Sequence, residues 1–204
     1  MRICFIVNEI FAWGRYGGFG KLVRVLGTEL IRRGVDVVVV CWRGPDQGKR
    51  EYLDGMTIFG LPYDPIDPLS SRVFSYFQSI PLYKEADADI YVSIEAQLST
   101  LVAQKAMPEK KHLVYFQDPY DENAYRSMSV VDSNYEWNTK RKIQFYTTLG
   151  FLRNACHNAD ALLTQAKCFV PTIRRLFTAH KKLVFLPNPV RIPVSATGKA
   201  SEPT

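Results

Sequence analysis

Residues 13–21 read WGRYGGFGK, and this glycine-rich stretch joins an apolar segment to an amphipathic one. The apolar segment, Ile3–Val7, is typical of a strand that is buried on both faces of a parallel sheet. The apolar residues that follow the glycines recur at helical spacing: Leu22, Val25, Leu26 and Leu30. Gly34 is placed to end this helix as its C′ residue. The stretch therefore predicts a strand, a glycine turn and a helix in succession.

A glycine turn at the start of a helix has a direct chemical use. The first N–H groups of a helix have no partner within it, and they lie at the positive end of the helix dipole, which suits a phosphate or another anion. Gly17 and Gly18 would also let the backbone approach a ligand closely. A turn that needs glycine only for its own conformation, and binds nothing, fits the same residues. The loop alone leaves both interpretations open.

Composition limits the class of protein. The 204 residues are 47% hydrophobic, which is enough for one sizeable core and predicts a single domain. The apolar run near Met1 is too short for a secretory signal, and no later run approaches the length of a membrane span. The four cysteines form no CxxC pair. We expect a cytoplasmic protein with reduced cysteines that mostly serve packing.

The net charge of +6 favours anionic partners. Lys140, Arg141 and Lys142 precede several aromatic and aliphatic residues, so this segment could dock on an anionic membrane surface as a peripheral contact at the inner face. A solvated helix face over the core is the alternative. Helix-turn-helix, zinc-finger and RNP patterns are missing from the sequence, so no nucleic-acid partner is expected.

Strand and helix signals alternate along the chain. Further strands are predicted at residues 35–41, 54–60 (a turn and a short strand), 89–95, 112–116, 161–164 and 183–186. Helices are predicted at residues 98–107, 138–158 and 169–177, and one from Ser70 or Ser71 to about residue 80, with Pro81 disturbing its end. This alternation predicts an α/β fold, a Rossmann-like three-layer αβα sandwich with a mainly parallel sheet.

Polar residues follow several of the predicted strands. Ligands of open parallel sheets bind outside the carboxyl ends of the strands, so these residues should converge at one edge. They are Asn8, Glu9, Ser93, Glu95, Gln117, Asp118 and Asn188. Their predicted convergence, together with the glycine turn, indicates a binding site at this edge.

Two other nucleotide-binding classes do not fit the turn. A dinucleotide-binding loop needs G-x-G-x-x-G, but the position that would hold its third glycine is Val23. The acidic residue that binds the ribose is also missing, since the second strand ends at Arg43. A Walker A loop needs Ser or Thr after its lysine, and Lys21 is followed by Leu22.

The chain resembles the N-terminal half of a retaining glycosyltransferase of family 4. The resemblance rests on the Gly17–Gly18 turn, on residues 33–37 (RGVDV), 117–118 (QD), 158–161 (NADA) and 186–190 (LPNPV), and extends over residues 1–193. It implies one half of a GT-B architecture, in which two Rossmann-like domains face each other. Residues 194–204 would then be a linker or tail towards an absent C-terminal domain.

The resemblance implies an activity. The complete enzyme would be a hexosyl-type glycosyltransferase that moves a sugar from a nucleotide-sugar donor to a hydroxyl acceptor (a sugar, lipid or glycan) with retention. It would need no cofactor and no metal. The isolated domain would be inactive, because the half that holds the nucleotide is missing. A free-standing nucleotide- or anion-binding module and a membrane-surface domain remain as alternatives.

The same resemblance assigns roles to the residues of the edge. Gly17, Gly18 and Phe19 would approach the donor phosphates and sugar. Catalytic candidates are Gln117 and Asp118, where Asp118 would orient the acceptor hydroxyl or else cap the turn at Pro119. Acceptor-side candidates are Asn8, Glu9, Ser93 and Glu95, and Asn188 would lie at the hinge. Gln117 replaces the histidine of many members, and Pro189 and Arg191 replace a glycine and an acidic residue at the domain end.

Overall fold

Strands and helices alternate in the computed structural model, which describes residues 1–10, 18–43, 47–62, 79–95, 98–118, 121–123, 126, 136–177 and 182–189. The strands are β1 (Arg2–Ile6), β2 (Asp36–Arg43), β3 (Arg50–Leu53), β4 (Met56–Pro62), β5 (Ile90–Ile94), β6 (Lys111–Phe116), β7 (Ala161–Thr164) and β8 (Leu183–Phe185). The helices are α1 (Gly18–Arg32), α2 (Ile80–Ala86), α3 (Leu98–Ala106), α4 (Thr139–Asn158) and α5 (Val170–Leu176), and a short 3-10 turn, Lys167–Phe169, precedes α5.

The strands form one eight-stranded sheet in the order β3-β4-β2-β1-β5-β6-β7-β8. Every described pairing is parallel except that of β3 with β4. Strands β2, β3 and β4 lie on one side of β1, and strands β5 to β8 lie on its other side. The direction in which strands are added to the sheet therefore reverses between β1 and β5. In open α/β sheets this reversal opens a crevice at the carboxyl ends of the two strands.

Helices cover both faces of the sheet, which confirms the predicted three-layer sandwich. Successive strand residues point to opposite faces. Phe5 of β1 packs in a cluster that includes Leu22 and Val23 of α1. Ile6 packs on the other face with Tyr83 of α2 and Val102 of α3. A third cluster joins β6 and β7 to α4 and α5.

The helix predicted from the glycine turn is present and ends as predicted. Gly34 has a φ of +79°, the left-handed conformation that side chains disfavour. The N–H of Gly34 donates to Ile31 O, and the N–H of Val35 donates to Leu30 O at 3.0 Å. These two bonds form a Schellman motif, which satisfies carbonyl groups at the end of α1.

The structure adds β3, which the sequence did not predict. Asp54 and Gly55 both have positive φ, +51° and +83°, as a tight hairpin between β3 and β4 requires. The preceding residues 50–53 (REYL) alternate between exposed and half-buried positions at the edge of the sheet. A strand this short and this polar carries little hydrophobic signal.

The prediction for Pro81 was wrong. It was expected to disturb the end of a helix, but it lies in the first turn of α2, which begins at Ile80. Proline suits that place because its fixed φ is helical and an N–H there has no partner within the helix. The predicted helix from Ser70 or Ser71 falls mostly on residues 63–78, outside the described residues. Among the residues that are described, no helix combines the length and apolar character needed to cross a membrane.

Candidate functional site

The strand register brings the predicted polar residues to one edge of the sheet. Ile6 is paired with Ser93, so Asn8 and Glu95 each stand two residues beyond that pair at the point where the strand order reverses. Phe116 is paired with Thr164, so Gln117 after β6 and Gln165 after β7 stand at equivalent positions. The structure therefore places these polar residues at one edge of the sheet, and the described contacts among them lie at the ends of β5, β6 and β7.

Glu95 is the residue that links β5 to β6. It has a φ of +64°, a conformation that costs a non-glycine residue about 1–2 kcal/mol. Its carboxylate oxygen Oε1 accepts a hydrogen bond from the backbone N–H of Asp118 at 2.6 Å and another from the N–H of Gln117. The two amides that follow β6 are thus held by one carboxyl group from the neighbouring strand.

The environment of Glu95 alters its ionisation. Burial raises the pKa of its carboxyl to about 8, and the nearby charge of Asp118 raises the pKa further, while the N–H groups of Asp118 and Gln117 lower it. The effect of desolvation is larger than that of the two hydrogen bonds, because a buried carboxylate loses more hydration free energy than two neutral N–H donors restore. An acid whose pKa lies this close to neutrality is typical of functional sites.

Four side chains form a hydrogen-bonded cluster beside Glu95, which we call the amide cluster: Tyr115, Gln117, Gln165 and Asn188. Asn188 Nδ2 donates to Gln117 Oε1 at 2.6 Å and to Gln165 Oε1. The hydroxyl of Tyr115 lies 2.8 Å from Asn188 Oδ1 and 2.7 Å from Leu186 O. Burial raises the pKa of Tyr115, so this hydroxyl stays protonated.

The Gln117 carboxamide is buried in the amide cluster. Gln117 is 6% exposed, and its Nε2 makes no hydrogen bond of ordinary geometry with a described residue. The Gln117 side chain interacts with the Tyr115 hydroxyl, and this interaction lowers the pKa of that hydroxyl against the larger effect of burial.

The other predicted site residues occupy varied positions. Asn8 is exposed and Glu9 is half-buried just beyond β1, while Asp118 is exposed after β6. Ser93 is 1% exposed within β5, so its hydroxyl lies inside the domain. Gly18 and Phe19 form the first turn of α1, and Gly17 lies outside the described residues. Among the described residues, hydrogen bonds connect Glu95, Gln117, Asp118 and Asn188, and none joins these four to Asn8, Glu9 or Ser93.

The first residue of α1 has free space on its side-chain side. A Cβ atom built on Gly18 would meet no described atom within 4 Å. The first turn contains no acidic residue, and Lys21 is exposed in it. These features suit an anion, because an acidic side chain would compete for the free N–H groups.

Sequence reasoning missed two members of the amide cluster. Gln165 directly follows β7, in the same position that Gln117 has after β6, so a search for polar residues after every strand would have found it. Tyr115 lies inside the predicted strand β6, so a search for polar residues after strand ends passes over it. Among the described residues, no group of three or more His, Cys, Asp or Glu side chains could hold a metal ion.

The sheet order, the helices on both faces and the polar edge at the reversal of strand order define a Rossmann-like α/β domain with a candidate ligand site. The chain belongs to Glycosyltransferase Family 4, whose sequence profile matches residues 16–192. A comparison with curated proteins found no significant match.

Solved structures share the fold at low identity. Sucrose-phosphate synthase from Thermosynechococcus elongatus is similar over 91% of this chain and 47% of that chain, with 15% identity and a TM-score of 0.67. The lipopolysaccharide outer core galactosyltransferase WaaB matches over 95% of this chain and 47% of that chain, with 16% identity and a TM-score of 0.56. The catalytic domain of starch synthase IV from Arabidopsis thaliana matches over 92% and 51%, with 12% identity and a TM-score of 0.53. The chain thus spans about half the length of these proteins.

Proposed function

We propose that this chain is the N-terminal, acceptor-side domain of a retaining glycosyltransferase that moves a sugar, of the hexosyl type, from a nucleotide-sugar donor to a hydroxyl acceptor. The observation that carries the proposal is the cluster of Glu95, Gln117 and Asp118 at the carboxyl edge of a sheet that belongs to a glycosyltransferase family. Residues 1–193 form the domain, and 194–204 lead towards a C-terminal domain. Asn188 lies at the hinge between the two.

The donor's diphosphate would meet the start of α1. Negative charge builds on this group as the sugar leaves, and N–H groups already aimed at it stabilise that charge without reorganising. Gly17, Gly18 and Phe19 supply this segment, and the free space on the side-chain side of Gly18 leaves room for the ligand. A nucleotide donor is further supported by the starch synthase relative, whose structure was solved with ADP and acarbose.

The acceptor would lie over the ends of β5 and β6. Asp118 is the exposed carboxylate there, and it would accept a hydrogen bond from the acceptor hydroxyl and orient its oxygen. Glu95 fixes the backbone on which Asp118 stands. Asn8 and Glu9, beyond the adjacent strand, would complete the acceptor side. The reaction would need neither a metal ion nor a cofactor other than the donor.

The longer protein, in which this domain is joined to its C-terminal domain, provides the test. Incubation with UDP-, ADP- and GDP-hexoses and a panel of sugar, lipid and glycan acceptors should release nucleoside diphosphate, and NMR of the product should show the anomeric configuration of the donor. The isolated 204-residue chain should release none. Inversion at the anomeric carbon, or transfer by the isolated chain, would contradict the proposal.

A second candidate function, contact with an anionic membrane surface, is favoured by the exposed side of α4. This helix contains no Asp or Glu, and Lys140, Arg141 and Lys142 are exposed in its first turn. Ile143 is 63% exposed beside them, and Tyr146 is 53% exposed with its hydroxyl donating to Glu122. Apolar side chains next to cations are what an interfacial helix presents to anionic lipid. Such a contact is compatible with glycosyl transfer to a lipid acceptor.

A further inference from the structure

The first turn of α4 lies at the same edge of the sheet as Glu95 and Asp118. Strands β6 and β7 are parallel, so α4, which connects them, runs from the carboxyl edge back to the amino edge. Its 20 residues span about 30 Å, whereas the 6 residues of β6 span about 20 Å. Because Asn158 is followed almost directly by β7, the excess length of α4 falls beyond the carboxyl edge.

The exposure of this turn shows that it stands clear of the domain. Residues 139–143 are all exposed, and together they cover more than one full turn of the helix. Phe145, two residues further on, is buried in the core against β6. We call residues 139–143 the projecting turn. Its side chains are available on every side to a surface outside the domain.

The charge of the projecting turn is unfavourable for the helix by itself. Lys140, Arg141 and Lys142 lie at the positive end of the helix dipole, where cations destabilise a helix, and α4 contains no acidic residue. An anionic surface would offset this repulsion. Ile143, which is 63% exposed, would enter the apolar layer beneath the charged groups of such a surface.

A hydrogen bond joins α4 to the chain that follows β6. The Tyr146 hydroxyl, close behind the projecting turn, donates to Glu122 Oε2 at 2.6 Å. Hydrogen bonds from Tyr146 and Arg126 lower the pKa of Glu122, and the charge of Lys142 lowers it further. Glu122 is therefore ionised at neutral pH and holds this hydrogen bond as a carboxylate.

This hydrogen bond is close to Asp118 along the chain. Asp118 and Glu122 are four residues apart, so their Cα atoms lie within about 14 Å of each other. Asp121, next to Glu122, is paired with Arg175 of α5 at 2.8 Å. The chain after Asp118 is thus held to two helices, and one of them carries the projecting turn.

We propose that the projecting turn docks this edge on an anionic membrane, where Asp118 receives a hydroxyl acceptor anchored in the same membrane and the Tyr146–Glu122 hydrogen bond keeps Asp118 at that surface. The proposal rests on the proposed function, because it names the class of the hydroxyl acceptor. Docking confines the protein to the surface that holds the acceptor, which raises the effective concentration of the acceptor at the site. A soluble acceptor gains nothing from docking.

Hydrogen exchange of the 204-residue chain tests the geometry without any activity. Vesicles of phosphatidylcholine with phosphatidylglycerol should slow amide exchange in residues 121–123 and 139–143, whereas vesicles of phosphatidylcholine alone should not. Residues 107–110 lie between α3 and β6 at the opposite edge, so their exchange should stay unchanged with both kinds of vesicle. Equal slowing at both edges, or at neither, would overturn the inference.

Transfer by the longer protein tests the class of acceptor. Diacylglycerol and glucosyl-diacylglycerol in the anionic vesicles are compared with glycerol and methyl glucoside in solution. Changing the cations of the projecting turn to Glu should lower the ratio of lipid to soluble transfer at least about tenfold. Changing Lys49, Lys84 and Lys182 to Glu alters the net charge equally outside α4 and should keep the ratio. Equal ratios in the two variants would exclude docking as the reason for lipid transfer.

Tyr146→Phe separates the hydrogen bond from the docking itself. The aromatic ring remains, so co-flotation with anionic vesicles should persist, while the ratio of lipid to soluble transfer should fall by about threefold to tenfold. Tyr52→Phe removes another exposed hydroxyl, from β3, and should leave the ratio unchanged. An unchanged ratio in Tyr146→Phe would contradict the role of the Tyr146–Glu122 hydrogen bond.

The two levels of the account fail in different ways. If the wild-type protein transfers sugar to soluble acceptors as well as to lipid acceptors, the inference fails and the proposed function stands. If it transfers sugar to neither, the proposed function fails and the class of acceptor fails with it. The exchange pattern on vesicles still decides whether this edge docks on a membrane.

Discussion

The backbone N–H of Asp118 donates to the carboxyl oxygen Oε1 of Glu95 at 2.6 Å, across the ends of two neighbouring strands. Glu95 can make this contact because its φ of +64° turns the chain as it leaves β5. The exposed carboxylate of Asp118 is therefore placed by backbone contacts and not by its own side chain. The role proposed for Asp118, orienting an acceptor hydroxyl, would require a backbone fixed in this way.

The pKa of Glu95 makes the free energy of unfolding depend on pH. The folded protein holds this proton up to about pH 8, while the unfolded chain releases it near 4.5. Between these values the folded state binds more protons, so stability falls as pH rises, by at most about 1.4 kcal/mol per pH unit. Glu95→Gln keeps an oxygen for the two N–H groups and should remove this slope, which urea denaturation at pH 5, 7 and 9 would measure.

Glu109→Gln is the matched control, because Glu109 is exposed and lies away from the edge. It should keep the wild-type slope. If Glu95→Gln and the wild type lose stability equally between pH 5 and pH 9, Glu95 does not carry the proton.

Gly18→Val should separate the stability of α1 from the use of its N-terminus. The space around Gly18 is open, so we expect the free energy of unfolding to change by less than about 1 kcal/mol. Turnover by the longer protein should fall at least about tenfold, because the valine methyl groups occupy the space proposed for the donor.

Gly150→Val introduces the same side chain into α4 at a position that is equally open. It should reproduce the stability change of Gly18→Val and leave turnover unaffected. Melting curves together with rates of nucleoside diphosphate release provide both values. Parallel losses of stability and turnover in Gly18→Val would mean that the turn is structural.

The membrane contact predicts a charge-dependent interaction of α4. Changing Lys140, Arg141 and Lys142 to Glu should abolish co-flotation with vesicles that contain anionic lipid, because each cation near such a surface contributes about 1 kcal/mol. The control changes Lys49, Lys84 and Lys182 to Glu, three exposed lysines outside α4, and alters the net charge equally. Flotation that survives the α4 changes would exclude this surface.

The C-terminal end of α1 offers a test of the fold itself. Gly34→Ala forces a side chain into the left-handed conformation at φ +79°, although a Cβ there meets nothing within 4 Å. The cost is then conformational and should amount to about 1–2 kcal/mol. Chemical denaturation measures it, and an unchanged midpoint would show that the left-handed conformation at residue 34 costs alanine no more than glycine.

The sequence predicted the parts of the fold that repeat a strong pattern. Continuous apolar strands, the helical spacing in α1 and the cap at Gly34 all appear as expected, because burial and backbone conformation both act locally there. The sequence did not predict β3, because a strand at the edge of a sheet needs few apolar residues. It also did not predict the position of Pro81, because proline is compatible both with the first turn of a helix and with the end of one. Local pattern cannot choose between those two uses.

The candidate site was predictable to the level of the sheet edge. The rule that ligands lie at the carboxyl ends of parallel strands located Glu95, Gln117, Asp118 and Asn188. Their mutual hydrogen bonds were not predictable, because they depend on the positive φ of Glu95 and on strand register. Ser93 illustrates the limit, since a polar residue near a strand end can still lie inside the domain.

The most direct measurement is the rate of sugar transfer by the longer protein carrying Asp118→Asn, beside the same protein carrying Asp36→Asn. Asp36 is also an exposed aspartate, but it begins β2 at the opposite edge of the sheet and pairs with Arg2. We expect Asp118→Asn to lower kcat/KM for the acceptor by about 10- to 100-fold with an unchanged melting temperature, and Asp36→Asn to keep the wild-type rate. Equal rates for the two variants would contradict the assignment of this edge as the site of glycosyl transfer.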